Sequence, residues 1–168
     1  RGPSRATPWL RILLIALIAL AVAGGTFVYR VTTLGNTLGG FENDQFVHLS
    51  EAQQVALGDQ TPRDFITIGG MPMTVWLSAA SLKYFGTSLW SEAVLTSAMI
   101  AFSAAMLFVL AERASGSIPI AIALALLQIA MAPRAYNYPK LLAYAVGIPV
   151  LWSYINAPGR LRLFLVAR

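Results

Sequence analysis

Asp44, His48 and Glu51, set four and then three residues apart, carry the clearest chemical signal in the chain. On a helix those spacings stack side chains over successive turns of one face. A carboxylate, an imidazole and a second carboxylate so aligned can position a general base or hold a divalent cation. The same alignment also serves as the solvated face of an ordinary helix, with Asn43 or Asp44 as its N-cap. Glu42 stands two residues before Asp44. Only 7 acidic residues occur in 168, and five of them (Glu42, Asp44, Glu51, Asp59 and Asp64) fall in one polar insert. Carboxylates gathered beside long apolar runs must be paired, hydrated or used.

Two further clusters supply cations. Arg63-Asp64 follows Pro62; it reads either as a turn with a local ion pair or as an acid beside a phosphate-binding arginine. Residues 133–140, Pro-Arg-Ala-Tyr-Asn-Tyr-Pro-Lys, bring Arg134, Asn137 and Lys140 together with two tyrosines. That set suits either an anionic, partly lipidic ligand or a plain interfacial belt with snorkelling cations. Glu92, near the start of an apolar run, reads as a headgroup-level or capping acid.

The elements that must carry these residues are membrane segments. Hydrophobic residues make up 57% of the chain and charged residues 11%, against about 25% charged in soluble domains. Apolar runs over residues 12–28, 89–111, 118–132 and 141–155 predict four spans, so the expected fold is all-α, a polytopic transmembrane helical protein. The net charge of +5 reads as topology, and no basic run interleaved with aromatics argues for nucleic acid. Without cysteine there are no disulfides, thiolate metal sites or cysteine nucleophiles.

The region between the first two runs, about residues 30–88, predicts a long extracytoplasmic loop with amphipathic juxtamembrane helices at 44–57 and 71–85. In the first helix, Phe46, Leu49, Ala56 and Leu57 are the expected apolar face, with Asp44, His48 and Glu51 opposite. The second helix is only about 22 Å long and is expected to lie in the interface rather than cross. Arg1, Arg5, Arg11, Arg113, Arg160 and Arg162 then face the cytoplasm, and residues 133–140 emerge on the side of Asp44. The start at Arg1 and the apolar stretch 161–166 suggest that residues 1–168 are the amino-terminal part of one larger membrane domain.

A first span, an acidic motif just beyond it (Glu42-Asn43-Asp44), a helix running into ALGDQTPRDF, and an apolar helix ending LKYFG resemble the amino-terminal part of GT-C glycosyltransferases. The most similar branch is the dolichyl-phosphate-mannose mannosyltransferase-like and RgtA/B/C/D-like bacterial membrane proteins. The resemblance covers Arg11 to about Ile155. It implies a hexosyl- or pentosyltransferase of the bacterial inner (plasma) membrane, active on the periplasmic or extracellular face. The donor would be a polyprenyl-phosphate-linked sugar and the acceptor a glycan, lipid or protein. Asp44 would be the catalytic base or the ligand of a divalent cation, magnesium or manganese, with Glu42 as helper. His48, Arg63, Asp64, Arg134, Asn137 and Lys140 would bind substrate. Asn137 stands where the family commonly has a second external acid, and no carboxylate is present at that position. The alternative expectation is a non-catalytic polytopic membrane protein, either a transporter or an assembly subunit.

Overall fold

A computed structural model describes residues 8–34, 43–61, 63–66, 72–131 and 139–156; within these, the side chains of Asp44 and Lys140 are not described. The described residues form six helices and no strand: α1 (Pro8–Leu34), α2 (Asn43–Leu57), α3 (Pro72–Phe85), α4 (Leu89–Ser115), α5 (Ile118–Met131) and α6 (Pro139–Asn156). The fold is all-α. Two helices, over Trp9–Thr33 and Leu89–Ser115, are long and apolar enough to cross a membrane. α5 has 14 residues, about 21 Å of helix, so as an element it is shorter than a typical hydrocarbon core of about 30 Å.

α1 begins at Pro8, whose missing N–H costs nothing in a first turn that has no acceptor for it. Its interior polar groups are satisfied within the helix: Thr26 donates to the Val22 carbonyl at 2.6 Å and Thr33 to the Tyr29 carbonyl at 2.7 Å. Such back-bonding lets hydroxyls sit in an apolar surround. α1 outruns the apolar stretch 12–28 at both ends and so takes in Arg11 and Arg30.

Those two arginines report how the long helices lie. Arg11, early in α1, pairs with Glu112, late in α4, at 2.7 Å, so α1 and α4 run antiparallel. Arg30, late in α1, donates to the Ile129 carbonyl, late in α5, at 2.9 Å, so α1 and α5 run in the same direction. A two-residue turn, Gly116-Ser117, joins α4 to α5. The core here is Phe108, Ala111, Ala121 and Ala125, flanked by Ile15, Ile18 and Val22. Three alanines let the helices approach closely. α6 lies along α4 and carries Pro149 within the helix. The bundle thus has a proximal end (Pro8, Ser115, Ile118) and a distal end (Leu34, Leu89, Met131).

α2 and α3 pair with each other and meet the rest at the start of α4. α2 stops in a Schellman turn: Asp59 N–H bonds the Gln54 carbonyl at 3.0 Å and Gly58 N–H the Val55 carbonyl at 3.1 Å. Gly58 takes φ 114°, open to a residue without Cβ. α3 starts at Pro72 and ends on Gly86 at φ 94°, so it is a separate element and not a continuation into α4.

The face of α2 differs from the expectation. Ala52 is fully buried with Val75, Ala79 and Leu82 of α3, flanked by Leu49, Val55 and Ala56, whereas Phe46 and Leu57 are exposed. The contact stripe is therefore 49-52-55-56. Glu51, beside Ala52 on the helix, is turned into cover and does not lie on an opposite, solvated side. The physical reason is size: α3 offers alanine and valine, and a narrow alanine seam fits it better than phenylalanine.

Candidate functional site

The site is built on α2 and on the way α3 fixes α2 to the distal end of α4. Asp44 lies in the first turn of α2 and His48 and Glu51 one and two turns on. His48 Nδ1 stands 3.7 Å from Glu51 Oε2, near it but beyond hydrogen-bond distance. Glu51 is only 6% exposed. A carboxylate so enclosed needs polar company, because desolvation disfavours its charge. The imidazole beside it supplies part of that company.

Glu92, in the first turn of α4, is more deeply enclosed at 4% exposure. Ser78 of α3 donates to its Oε1 at 3.2 Å. Ser81 donates to the Ser91 carbonyl at 2.7 Å, and Ser91 Oγ donates to the Gly86 carbonyl. This knot of three serines and one acid ties α3 to α4, while α3's alanine and valine side holds α2. The helix N-terminus is a favourable place for a carboxylate. Reading Glu92 as a headgroup-level acid is corrected: it lies inside the α3–α4 junction. Ser88 is the N-cap residue of α4, without a side-chain cap bond.

Arg63 and Asp64 form a bidentate pair, with Nε–Oδ1 at 2.8 Å and Nη2–Oδ2 at 2.7 Å. The Gln60 N–H also donates to Asp64 Oδ2 at 2.8 Å. The hydrogen bonds from Arg63, and then the Gln60 amide, hold the Asp64 carboxyl below the usual carboxylate range; the same pairing raises Arg63. The local turn pair anticipated for these residues is what forms. An anion reaching Arg63 must compete with Asp64 for the guanidinium fork.

Glu42, Arg134 and Asn137 lie outside the described residues. Lys140 is in the first turn of α6 and Asp44 in that of α2, each with its side chain outside the description. Among the described residues, no three His, Cys, Asp or Glu side chains gather as metal ligands do. Of the set Asp44, His48 and Glu51, only His48 and Glu51 have described side chains.

Three charged residues escaped the sequence reading as structural actors. Glu112 is 2% exposed and pairs with Arg11. Arg30 is buried and reaches across to α5. Glu92 is locked by Ser78. A usable signal existed for all three, since each ionisable residue sits within or at the edge of an apolar run and so demands a named partner.

Beside Arg30 an apolar groove of about 540 Å³ runs between α1 and α5, lined by Ile18, Val22, Gly25, Tyr29, Ile122 and Leu126 among others. Compared with protein-family models, with curated proteins and with solved structures, the chain matches none.

Proposed function

We propose that this chain is the amino-terminal membrane portion of a GT-C-like glycosyltransferase of the bacterial inner membrane. It transfers a sugar from a polyprenyl-phosphate-linked donor to an acceptor hydroxyl on the extracytoplasmic face. The observation that carries the reading is the docking of the acid-bearing helix α2, through α3, onto the distal end of α4. Carboxylates concentrated at one end of an apolar bundle, on a helix with fixed register, are what surface chemistry on a lipid-linked substrate needs. α3 exposes Met73, Trp76, Tyr84 and Phe85 alongside Lys83, a composition suited to headgroup depth. The spans α1, α4, α5 and α6, the distal end outward and the four-crossing topology belong to this proposal.

In the reaction the acceptor oxygen attacks the anomeric carbon while the bond from that carbon to the phosphate oxygen breaks. Asp44 takes the acceptor's proton, and the polyprenyl phosphate leaves with the bonding pair. Cations, Lys140 and Arg134 foremost, would balance the charge that develops on the phosphate. In this reading Glu42 assists Asp44, and His48, Arg63, Asp64 and Asn137 bind substrate. The deciding experiment is Asp44→Asn in the intact natural protein. Sugar transfer should fall by about 10²-fold or more, the scale set by loss of a general base, with membrane insertion unchanged. Transfer at the parental rate removes Asp44 from the chemistry.

The second reading, a non-catalytic transporter or assembly subunit, has one observation in its favour. Gln128 of α5 donates to Ser103 of α4 at 2.6 Å, a polar contact of the kind that joins membrane helices. The Arg11–Glu112 ion pair and the Ser78–Glu92 hydrogen bond lie at the bundle ends and not at mid-depth, where a transport pathway keeps its ionisable groups.

A further inference from the structure

We infer that Glu51 is a positioning residue: it holds the proton of neutral His48 on Nδ1, so that the Nε2 lone pair accepts a hydroxyl hydrogen from a sugar substrate. The identity of the hydroxyl rests on the transferase reading and deepens it; the place of the proton does not depend on that reading.

The two ring nitrogens of His48 have different surroundings. Nδ1 is buried without a hydrogen-bond partner, while the side chain as a whole keeps 20% exposure. Nε2 makes no hydrogen bond to the described residues and is not buried, so it lies on the edge of the ring that meets solvent. Facing Nδ1 at 3.7 Å is Glu51 Oε2, on a side chain only 7% exposed. Ala52, next in the chain, is fully buried against α3, and that contact keeps the carboxylate under cover.

Electrostatics decides which nitrogen carries the proton in this setting. A bare Nδ1 lone pair turned to a buried carboxylate is repelled by it, with little water between to screen the repulsion. An Nδ1–H is attracted, and the state of one ring nitrogen is set by what the other bonds. The pair must close by about 0.7 Å to reach hydrogen-bond length, and the terminal torsion of glutamate is soft. A carboxylate fixes an imidazole tautomer in the same way in metal sites and in hydrolytic triads.

Helical side chains lean toward the helix N-terminus, so the ring stands over the turn of α2 that carries Asp44. Nε2 is there an uncharged acceptor beside the place of the proposed base. Such a lone pair selects a hydrogen-bond donor. A sugar hydroxyl meets that requirement, whereas an ionised phosphate oxygen, itself only an acceptor, does not.

The test is NMR of the histidine tautomer in the intact protein in lipid nanodiscs, with the imidazole nitrogens isotopically labelled. His48 is the one histidine in the 168 residues, and the signals lost in His48→Asn assign it. In buffer alkaline enough to leave the ring neutral, Nδ1 should carry the proton and Nε2 should not. The reverse assignment overturns the inference, since Glu51 would then be a carboxylic acid donating to Nδ1. This measurement needs no substitution at Glu51 and stands whether or not a variant folds.

Glu51→Met, similar in length but without charge or a strong acceptor, should move the proton to Nε2, the form that free imidazole side chains prefer. Gln53→Met, at an exposed position of the same helix, should leave it on Nδ1. A proton that stays on Nδ1 in Glu51→Met overturns the positioning role, whereas a glutamate that merely anchors α2 would not move it. In transfer assays Glu51→Met should raise KM about tenfold, the upper range for one neutral hydrogen bond, with kcat the smaller change. A rise in the donor's KM places the hydroxyl on the transferred sugar, and a rise in the acceptor's places it there. No rise in either overturns the substrate contact. The two proposals fail separately. The expected tautomer in a protein that transfers no sugar retires the transferase alone. Sugar transfer by a protein whose Nε2 carries the proton retires the positioning role alone.

Discussion

At the scale of single residues, the ionisable groups divide by whether their partner lies next door or on another helix. Asp64 is the local case. Its carboxyl is held low by Arg63 and the Gln60 amide, so the charged form is favoured in the folded turn. The stability this adds is complete above the ordinary carboxylate range and disappears as pH falls through the lowered value. Exchange of the Gln60 amide, followed by NMR on acidification, should accelerate only well into acid, and Asp64→Asn should abolish that dependence. A titration at the ordinary carboxylate position refutes the pairing. Glu112 is the distant case, buried at the end of α4 and reached by an arginine that is 58% exposed. Solvent screens such a partner, so Arg11→Ala should cost only about 1 kcal/mol. Arg11→Ala should cost less in a Glu112→Gln background, and strict additivity in that double-mutant cycle contradicts the coupling.

At the scale of elements, α3 decides whether α2 has a fixed place at all. It is a short helix with two dissimilar sides, alanine and valine toward α2 and serine toward α4. Ala52 is fully buried against Val75 and Ala79. Ala52→Leu should overpack that seam at about 1–3 kcal/mol and release α2 selectively. Hydrogen–deuterium exchange should rise across residues 43–57 while α1 and α4 remain protected. Equal protection in the variant would mean that the seam tolerates three more heavy atoms than its packing allows. If Asp44 is the base, the same variant should lose sugar transfer without any change to a reacting group, because positioning is most of what such a site contributes.

At the scale of the whole molecule, the direction of the helices determines which ends share a compartment. α1 and α5 finish at the distal end, where α4 begins and the α2–α3 pair docks. Single cysteines at Phe85, Ala114 and Asn137, in a chain that has no native cysteine, test whether this end faces outward. In sealed cells an impermeant maleimide should label positions 85 and 137 and spare 114. Labelling at 114 with protection at 137 would separate Asp44 from Arg134 and Lys140 and dissolve the shared site.

What the amino-acid order determined by itself is local. Helix and not strand follows from the apolar runs. The stops follow from Gly58 and Gly86, and the distinct short helix α3 from Pro72 before it and Gly86 after it. The Arg63–Asp64 pair is likewise decided by neighbours. Tertiary structure decided everything that depends on which face meets which neighbour. Amphipathic periodicity in α2 selected Phe46 and Leu57 as apolar face, but only the presence of α3's alanines makes 49-52-55-56 the buried stripe and draws Glu51 under cover. Glu92 looked like a capping acid until Ser78 arrived from a helix 14 residues earlier. Arg30 and Arg11 are ordinary flanking charges in one dimension; α4 and α5 turn them into contacts across about 100 residues of chain. Hydrophobic burial is non-directional, so a sequence states that a face is apolar, while the identity of its partner emerges only when competing faces are packed together.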